Sequence, residues 1–414
     1  MYVSVRGIPP GTRSGGRVPR VVVVLGLVSL ITDVSTEMVA VVLPLFATLA
    51  LGLTPVAYGL LDGLYQGATV LMRLAGGLFA DRLRRPKLVA GTGYALGAAA
   101  KLMLLPVGGA GALSAAVAAD RMGKGLRTAP RDQLIAAAGP HDRLGRSFGV
   151  HRALDATGAL LGPLVAFGLL ALAPGDFDMV FVVSFCVAVL GVLLFVHRVP
   201  EHPAAGHRVP ERRTPVSLGD VTALLRTSGF RRLLVAAAVL SAATISDGFL
   251  YLVLLRNGSV ETRWFPLLFL CTSLVYLALA VPLGRTSDRL GRTRVFTAGY
   301  GLLLCAYLTA VLAGGPAGAL LCLMFLGAYY AATDGVLPAA AAPLLPAELT
   351  ATGISIVQAA VAGGRALGAV AFGAVWTATG SDVAMWTFAA ALTAALLTAL
   401  PMITQARHRR TEVR

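Results

Sequence analysis

Charged residues are scarce in this sequence, in which Asp, Glu, Lys and Arg make up 13% of 414 residues. That is about half the share that is usual in soluble globular proteins. Cysteine is scarce too, and the four cysteines lie inside apolar stretches with no CxxC pair, so neither a disulfide framework nor a zinc site is suggested. The composition excludes a soluble globular enzyme, a disordered chain and a secreted disulfide scaffold. The cysteines are Cys186, Cys271, Cys305 and Cys322.

Hydrophobic residues make up 57% of the chain and lie in long blocks. A membrane-spanning helix needs roughly 20 mostly apolar residues, whereas a strand of a membrane β-barrel has about ten alternating residues. We therefore predict an all-α polytopic membrane protein with twelve transmembrane helices in two pseudo-symmetric six-helix bundles. The predicted spans are 21–48, 56–79, 88–107, 111–136, 148–173 and 178–197, then 232–255, 264–284, 294–313, 317–342, 351–378 and 382–403.

The spans divide the sequence into five segments. We predict a disordered tail over 1–20, a six-helix bundle over 21–197, a polar central loop over 198–231, a second bundle over 232–403 and a tail over 404–414. The apolar run after residue 20 is longer than the core of a signal peptide, which has about 7–15 residues. We expect this first span to be retained.

Basic residues outnumber acidic ones by 35 to 20, and they concentrate in the tails and in alternate loops. This assignment counts Arg127 and Arg131 with the loop between spans 4 and 5, and leaves only Arg256 and Arg263 on the opposite side. The positive-inside rule then places both termini and the central loop in the cytoplasm of a cell (inner) membrane protein. A nucleic-acid partner is not expected, because its binding surface would concentrate charge on one folded domain.

The two groups of spans repeat one another. The segment 77–87, between spans 2 and 3, shares Gly, Asp, Arg and Leu at matching positions with 284–294, between spans 8 and 9. Asp33 in span 1 matches Asp247 in span 7, and 158–162 in span 5 matches 364–368 in span 11. Two homologous halves of the same orientation are a known arrangement in alternating-access transporters.

At these residues the chain resembles the major facilitator superfamily. The segment 77–87 resembles that family's Gly-x-Leu-Ala-Asp-Arg-x-Gly-Arg-Lys motif, from which Phe79, Arg84 and Pro86 depart. The segment 121–125 resembles the family's Arg-x-x-x-Gly motif, and 120–132 is similar to a run in a prokaryotic branch with no assigned substrate. Gly158, Gly162 and Pro163 match the Gly-x-x-x-Gly-Pro motif, which the family associates with antiporters.

The repeated loops predict a conformational latch. Asp81 and Asp288 each begin a tight turn, where a carboxylate can cap a neighbouring helix while nearby arginines pair across the two halves. A glycine four residues earlier would allow close helix approach. The alternative is that the bases only follow the positive-inside rule. The predicted latch residues are Gly77, Asp81, Arg82, Arg85, Gly284, Asp288, Arg289 and Arg292.

Ionisable residues inside spans are costly and usually functional. Asp33 and Glu37 share one face of span 1, and repulsion between them favours a proton on one carboxyl, which suits proton coupling. The alternative is a structural pair neutralised by Arg73 or Arg121. We expect Lys101 to be a structural ion-pair partner, and Asp120 and Lys124 to neutralise each other. The predicted substrate or coupling residues are Asp33, Glu37, Asp62, Gln66, Arg73, Arg121, Asp247, Asp334 and Arg365.

Together these features predict a secondary active transporter that exports a small amphipathic molecule, such as a drug or natural product, with a proton as coupling ion. We expect a monomer in the lipid bilayer with no cofactor and no bound metal. The alternatives are uptake or export of a polar solute or a metal cation, since carboxylates suit hard cations, a membrane enzyme, or a transporter-like receptor. No catalytic motif or nucleotide-binding Gly-x-x-x-x-Gly-Lys-Ser/Thr segment occurs, so we expect neither an enzyme nor ATP-driven transport.

Overall fold

The computed structural model describes the backbone of residues 18–83, 85–138, 144–201, 218–346 and 349–408. It describes their side chains apart from those at 69–71, 73–83, 218, 220–221, 351 and 403–408. Every regular element within these residues is helical. The prediction of an all-α membrane protein is confirmed.

Six long helices form the N-terminal half, and proline begins two of them because its fixed φ angle suits the first helical turn. The Asp176 carboxylate caps the last of the six by accepting a hydrogen bond from the Met179 amide. The helices are α1 (Arg20–Leu45, continued by a π-helical turn, Phe46–Ala50), α2 (Pro55–Leu83), α3 (Pro86–Met103), α4 (Ala110–Ala138), α5 (Leu144–Leu172) and α6 (Phe177–Arg198).

Six further helices form the C-terminal half, and two of them are broken into two segments. A short helix, Leu218–Arg226, precedes them in the central loop. They are α7a (Ser228–Ala242) and α7b (Asp247–Arg256), α8 (Phe265–Leu290), α9 (Arg292–Leu312), α10a (Gly315–Thr333) and α10b (Val336–Ala341), α11 (Thr350–Thr379) and α12 (Ser381–His408).

These helices agree with the predicted count of twelve. Within the described residues, nine of them are long and apolar enough to cross a membrane, and α2, α3 and α4 are the other three. The α4 helix is the most polar, with two acidic and four basic residues in its sequence. The breaks in α7 and α10 were not expected from the span count, because the apolar blocks resume after the few polar residues at each break.

The internal repeat is visible in the helix packing. In the N-terminal half α5 lies against α1, where a Cβ atom added to Gly162 would lie 2.9 Å from the carbonyl oxygen of Val34. In the C-terminal half α11 lies against α7a, where a Cβ atom added to Gly368 would lie 2.7 Å from the carbonyl oxygen of Ala242. Glycine is needed at these matching positions because the backbones touch.

The two halves contact each other at the end of the bundle opposite the chain termini. The first turn of α2 meets the last turn of α11, where the Val56 amide donates a 3.0 Å hydrogen bond to Oγ1 of Thr377. At the same end the Phe167 ring of α5 stacks on the Trp264 ring, with centroids 5.4 Å apart. We call this region the inter-half contact.

Candidate transport site

Basic side chains of α4 pair with the two acidic residues of α1. The guanidinium of Arg127 lies 3.2 Å from the Asp33 carboxylate. The Lys124 ammonium lies 3.9 Å from Asp33 and 3.6 Å from Glu37. Among the described side chains, the bases that pair with these two acids are Lys124 and Arg127, where the sequence suggested Arg73, whose side chain is not described, or Arg121.

The count of basic residues that placed Arg127 and Arg131 with a loop is wrong, and the predicted span 111–136, which contains both, is the better guide. The α4 helix continues to Ala138, so both side chains lie within it and face neighbouring helices. Arg131 donates a 3.2 Å hydrogen bond to the Ser29 hydroxyl and lies 3.7 Å from the Asp155 carboxylate of α5. Ser29 also hydrogen-bonds with His151 at 2.9 Å. The ion pairs of α4 therefore reach two turns further along the helix than the motif alone indicated.

A second group of ion pairs joins α3 to α4. The Lys101 ammonium lies 2.5 Å from one oxygen of Asp120, and the Arg121 guanidinium pairs with the other. Arg121 also stacks over the Tyr65 ring of α2, at 4.1 Å from its centroid. Lys101 is thus a structural partner, as expected, whereas the expected pairing of Asp120 with Lys124 is wrong.

In this N-terminal network, acidic and basic side chains are equal in number among the described residues. Five acids stand against five bases, and each takes part in at least one ion pair, so most of the cost of burying charge is compensated. The acids are Asp33, Glu37, Asp120, Asp132 and Asp155, and the bases are Lys101, Arg121, Lys124, Arg127 and Arg131.

Glycines of α5 hold α1 at this network. A Cβ atom added to Gly158 would overlap the carbonyl of Leu30, and one added to Gly162 would lie 2.6 Å from the Cβ atom of Glu37. Pro163 is buried in the same turn. The predicted helix-5 motif thus lies against the segment of α1 that carries the acidic pair.

The break in α7 is held by hydrogen bonds from α9. The Tyr307 hydroxyl accepts a 2.7 Å hydrogen bond from the Ile245 amide and donates a 3.3 Å bond to the Ala243 carbonyl. A Cβ atom added to Gly368 of α11 would lie 2.7 Å from the Ala242 carbonyl oxygen. Asp247 begins α7b, where the positive end of the helix dipole favours an acidic side chain.

The second break places Asp334 opposite Asp247. The Tyr330 hydroxyl of α10a donates a 2.6 Å hydrogen bond to Asp247. Arg365 of α11 lies 3.7 Å from Asp334 and donates a 3.3 Å hydrogen bond to the Tyr329 hydroxyl. The two broken helices therefore meet at an acidic and tyrosine-rich site, which we call the α7–α10 site.

A cavity of about 210 Å³ opens at the α7–α10 site. Both acids contribute to its wall, together with tyrosine rings and a threonine of α8. These residues are Asp247, Tyr251, Thr272, Tyr276, Tyr330 and Asp334.

A third acid, Asp62 of α2, lies beside this site. Its carboxylate lies within electrostatic range of Asp247 and Arg365. Its Oδ2 atom is buried without a hydrogen-bond partner among the described residues. The described side chains here thus supply three acids, Asp62, Asp247 and Asp334, and one base. Gln66 lies one turn further along α2 and is half-buried.

The predicted latch is described only in its second copy. Asp288 lies 3.3 Å from Arg292, which donates a 2.7 Å hydrogen bond to the Ala339 carbonyl, so these contacts stay within the C-terminal half. The close helix approach expected at Gly284 is not found, because an added Cβ atom would meet no atom within 4 Å. Arg289 and Arg85 are exposed. The surroundings of Gly77 and the side chains of Arg73, Asp81 and Arg82 lie outside the described residues.

Several residues of the two sites were not predicted from the sequence. Arg121, Lys124, Arg127 and Arg131 recur every three or four residues, which places them along one side of a helix, and this spacing could have identified the basic face of α4. The tyrosines of the α7–α10 site carry no such signal, because aromatic residues are common in any apolar helix. Among the described residues, no group of three or more His, Cys, Asp or Glu side chains is arranged to hold a metal ion.

Comparison with known proteins agrees with this architecture. The family model of the Major Facilitator Superfamily matches residues 25–263, which is more than half of the chain. The chain belongs to the major facilitator superfamily. This member is 28% identical over 291 residues to an uncharacterised MFS-type transporter of Methanocaldococcus jannaschii, covering 67% of this chain and 69% of that protein. It is 37% identical over 154 residues to an uncharacterised protein of Mycobacterium tuberculosis, covering 37% of each chain.

Solved transporters share the fold at low sequence identity. A mutant of the nucleoside transporter NupG superposes with a TM-score of 0.80 and 14% identity, covering 92% of this chain and 99% of that one. The peptide transporter POT in complex with sulfate superposes with a TM-score of 0.76 and 17% identity, covering 96% and 97%. Family and fold together indicate a membrane transporter of small molecules, and not an enzyme.

Proposed function

We propose that this superfamily member moves a small solute across the cell membrane by alternating access, in exchange for protons. The observation that carries the proposal is the charge imbalance at the α7–α10 site, where Asp62, Asp247 and Asp334 stand against the single base Arg365 among the described side chains. An acid that lacks a basic partner in a membrane interior is expensive. A bound proton or a bound solute can relieve that cost.

The partners of Asp247 and Asp334 do not fully neutralise their charges, so either acid can bind a proton or a solute. Asp247 is held by the neutral hydroxyl of Tyr330, and Asp334 lies 3.7 Å from Arg365, beyond direct hydrogen-bond distance. Tyr251 of α7b and Asp62 of α2 complete the groups around them. Because a proton and a solute would relieve the same unpaired charge, binding of one weakens binding of the other, and this competition is the basis of antiport.

The shape of the bundle supports alternating access. If the positive-inside rule orients the chain with cytoplasmic termini, the inter-half contact lies at the outer face, and the conformation is inward-facing. Opening the outer face then requires the Val56–Thr377 and Phe167–Trp264 contacts to separate.

Export is the direction that we propose. Gly158 and Gly162 pack on α1 as a tight helix pair, which supports the sealing role that the antiporter motif implies. Protons that enter down their gradient would then drive the solute outward. The coupling roles predicted for Asp33, Glu37 and Arg121 stay predictions, and their balanced ion pairs make the α7–α10 site the first one to test.

Purified protein in liposomes with an imposed pH gradient and an internal pH-sensitive dye tests the proposal. A panel of amines, peptides, nucleosides and sugars is added outside, and both solute uptake and dye signal are recorded. We expect at least one solute whose movement is matched by opposite proton movement. Asp247→Asn should uncouple the two, whereas Asp178→Asn, an exposed acid in the first turn of α6, should not. A solute that is transported equally with and without the gradient, with no dye response, overturns the proposal.

A further inference from the structure

We infer that the cavity of the α7–α10 site binds a monovalent organic cation with a compact aromatic or apolar body. The inference rests on the proposed transport function and narrows it to a substrate class. Three independent features of the site support it: the sign of its unpaired charge, the rings in its wall and the hydrogen bonds that its hydroxyl groups already make.

The sign of the unpaired charge favours a cation. Asp247 and Asp334 both line the cavity, and Arg365 is shared between Asp334, the Tyr329 hydroxyl and the face of the Tyr330 ring. The single guanidinium of Arg365 cannot neutralise all three carboxylates, those of Asp247, Asp334 and Asp62. An anionic ligand would add a further negative charge beside carboxylates that one base does not neutralise, whereas a single positive charge reduces the imbalance.

The rings of the cavity suit the body of such a cation. Tyr251, Phe269, Tyr276 and Tyr330 all contribute to the wall. Aromatic faces attract cations through their quadrupole and also pack against apolar groups. A cavity of about 210 Å³ is much larger than a bare metal ion and smaller than the usual site for a drug-sized molecule.

Three hydroxyl groups of the wall already have partners within the protein. The Tyr251 and Thr272 hydroxyls hydrogen-bond each other at 2.7 Å. The Tyr330 hydroxyl donates to Asp247 at 2.6 Å. A sugar or a peptide needs several donors from its site, whereas the hydroxyls of Tyr251, Thr272 and Tyr330 are already engaged with each other or with Asp247. A quaternary or tertiary ammonium needs negative charge and ring faces, which the site supplies.

Equilibrium binding at one fixed pH tests the inference with full-length protein in lipid nanodiscs. The probes are phenyltrimethylammonium, tert-butylbenzene, which has the same shape and no charge, and benzenesulfonate, which carries a negative charge. We expect the cation to bind at least 10-fold more tightly than the neutral probe, and the anion not to compete. Asp247→Asn should weaken cation binding at least 10-fold, while Asp178→Asn leaves it unchanged.

A second variant keeps the test decisive if Asp247→Asn does not fold. Tyr276→Leu removes one ring at a partly exposed position and leaves every charge in place, so cation affinity should fall about fivefold, in line with a typical cation–π contribution. Equal affinity for the cation and the neutral probe, tighter binding of the anion, or cation binding that neither variant weakens would each overturn the inference.

Failure here is distinguishable from failure of the proposed function. The binding assay uses no gradient and detects no proton movement, so a negative result removes the cationic substrate class and leaves proton exchange to the liposome assay. Conversely, a cation that binds at this site and crosses the membrane with no dye response would retain the substrate class and reject the exchange.

Discussion

The guanidinium of Arg127 lies 3.2 Å from the carboxylate of Asp33, and the two residues are only 4% and 6% exposed. This pair connects α4 to α1 in the interior of the N-terminal half. The Arg127 guanidinium also lies over the ring of Tyr94, 4.8 Å from its centroid. A buried pair of this kind is stable only while both partners remain, because either charge alone would be left in a poorly solvating interior.

Breaking this pair should destabilise the fold. Arg127→Gln leaves Asp33 without its nearest base and should lower the free energy of unfolding by about 3–5 kcal/mol. The double variant Asp33→Asn/Arg127→Gln removes both charges and should lose less than the sum of the single variants. Thermal unfolding of purified protein in detergent measures all three, with Asp178→Asn as control. Additive losses would contradict a direct interaction.

The sequence was sufficient for the fold and for part of the sites. Some features can be read from short stretches of the sequence alone. These are the span lengths, the repeated loops and the match of Asp33 with Asp247. These features predicted twelve helices in two halves, and the ionisable residues inside the spans made Asp62, Asp247, Asp334 and Arg365 candidate site residues. All four lie at or beside the α7–α10 site.

Partner identity could not be predicted in the same way. Lys124 is four residues from Asp120 on one helix, yet it faces Asp33 and Glu37 of α1. The rotation of α4 decides which helix each base meets, and that rotation depends on the packing of several helices together. The breaks in α7 and α10 are equally hidden, because Tyr307 stabilises the first one from α9.

The break in α7 should depend on the Tyr307 hydroxyl. Tyr307→Phe leaves the Ile245 amide without its acceptor, and an unsatisfied buried amide costs about 1–3 kcal/mol. The matched control is Tyr94→Phe, because the Tyr94 hydroxyl is buried without a hydrogen-bond partner among the described residues. Thermal unfolding should show a lower midpoint for Tyr307→Phe and an unchanged or higher midpoint for Tyr94→Phe. If both variants unfold alike, the hydroxyl does not hold the break.

The inter-half contact should respond to the size of one residue in α2. A Cβ atom added to Gly59 would lie 2.5 Å from the carbonyl oxygen of Ala369 in α11, so Gly59→Ala forces the halves apart at that end. Gly67→Ala on the same helix meets no atom within 4 Å and is the control. Spin labels at Thr54 and Thr379 should report longer distances in the first variant only. Identical distance distributions in the two variants would show that this contact does not limit opening.

Loss of Asp288 in the second copy of the latch, the loop 284–294, should reduce transport and leave stability unchanged. Asp288 and Arg292 form an exposed pair on the C-terminal half, and such pairs contribute about 0–1 kcal/mol. Asp288→Ala should therefore leave the unfolding midpoint within a few degrees of the wild type. If the turn forms its contacts with the other half in the opposite conformation, the same variant should reduce solute flux in liposomes severalfold. Asp382→Ala, which removes an acid from the first turn of α12, is the control for loss of an acidic side chain. Full flux in Asp288→Ala would leave these charges with no role beyond membrane orientation.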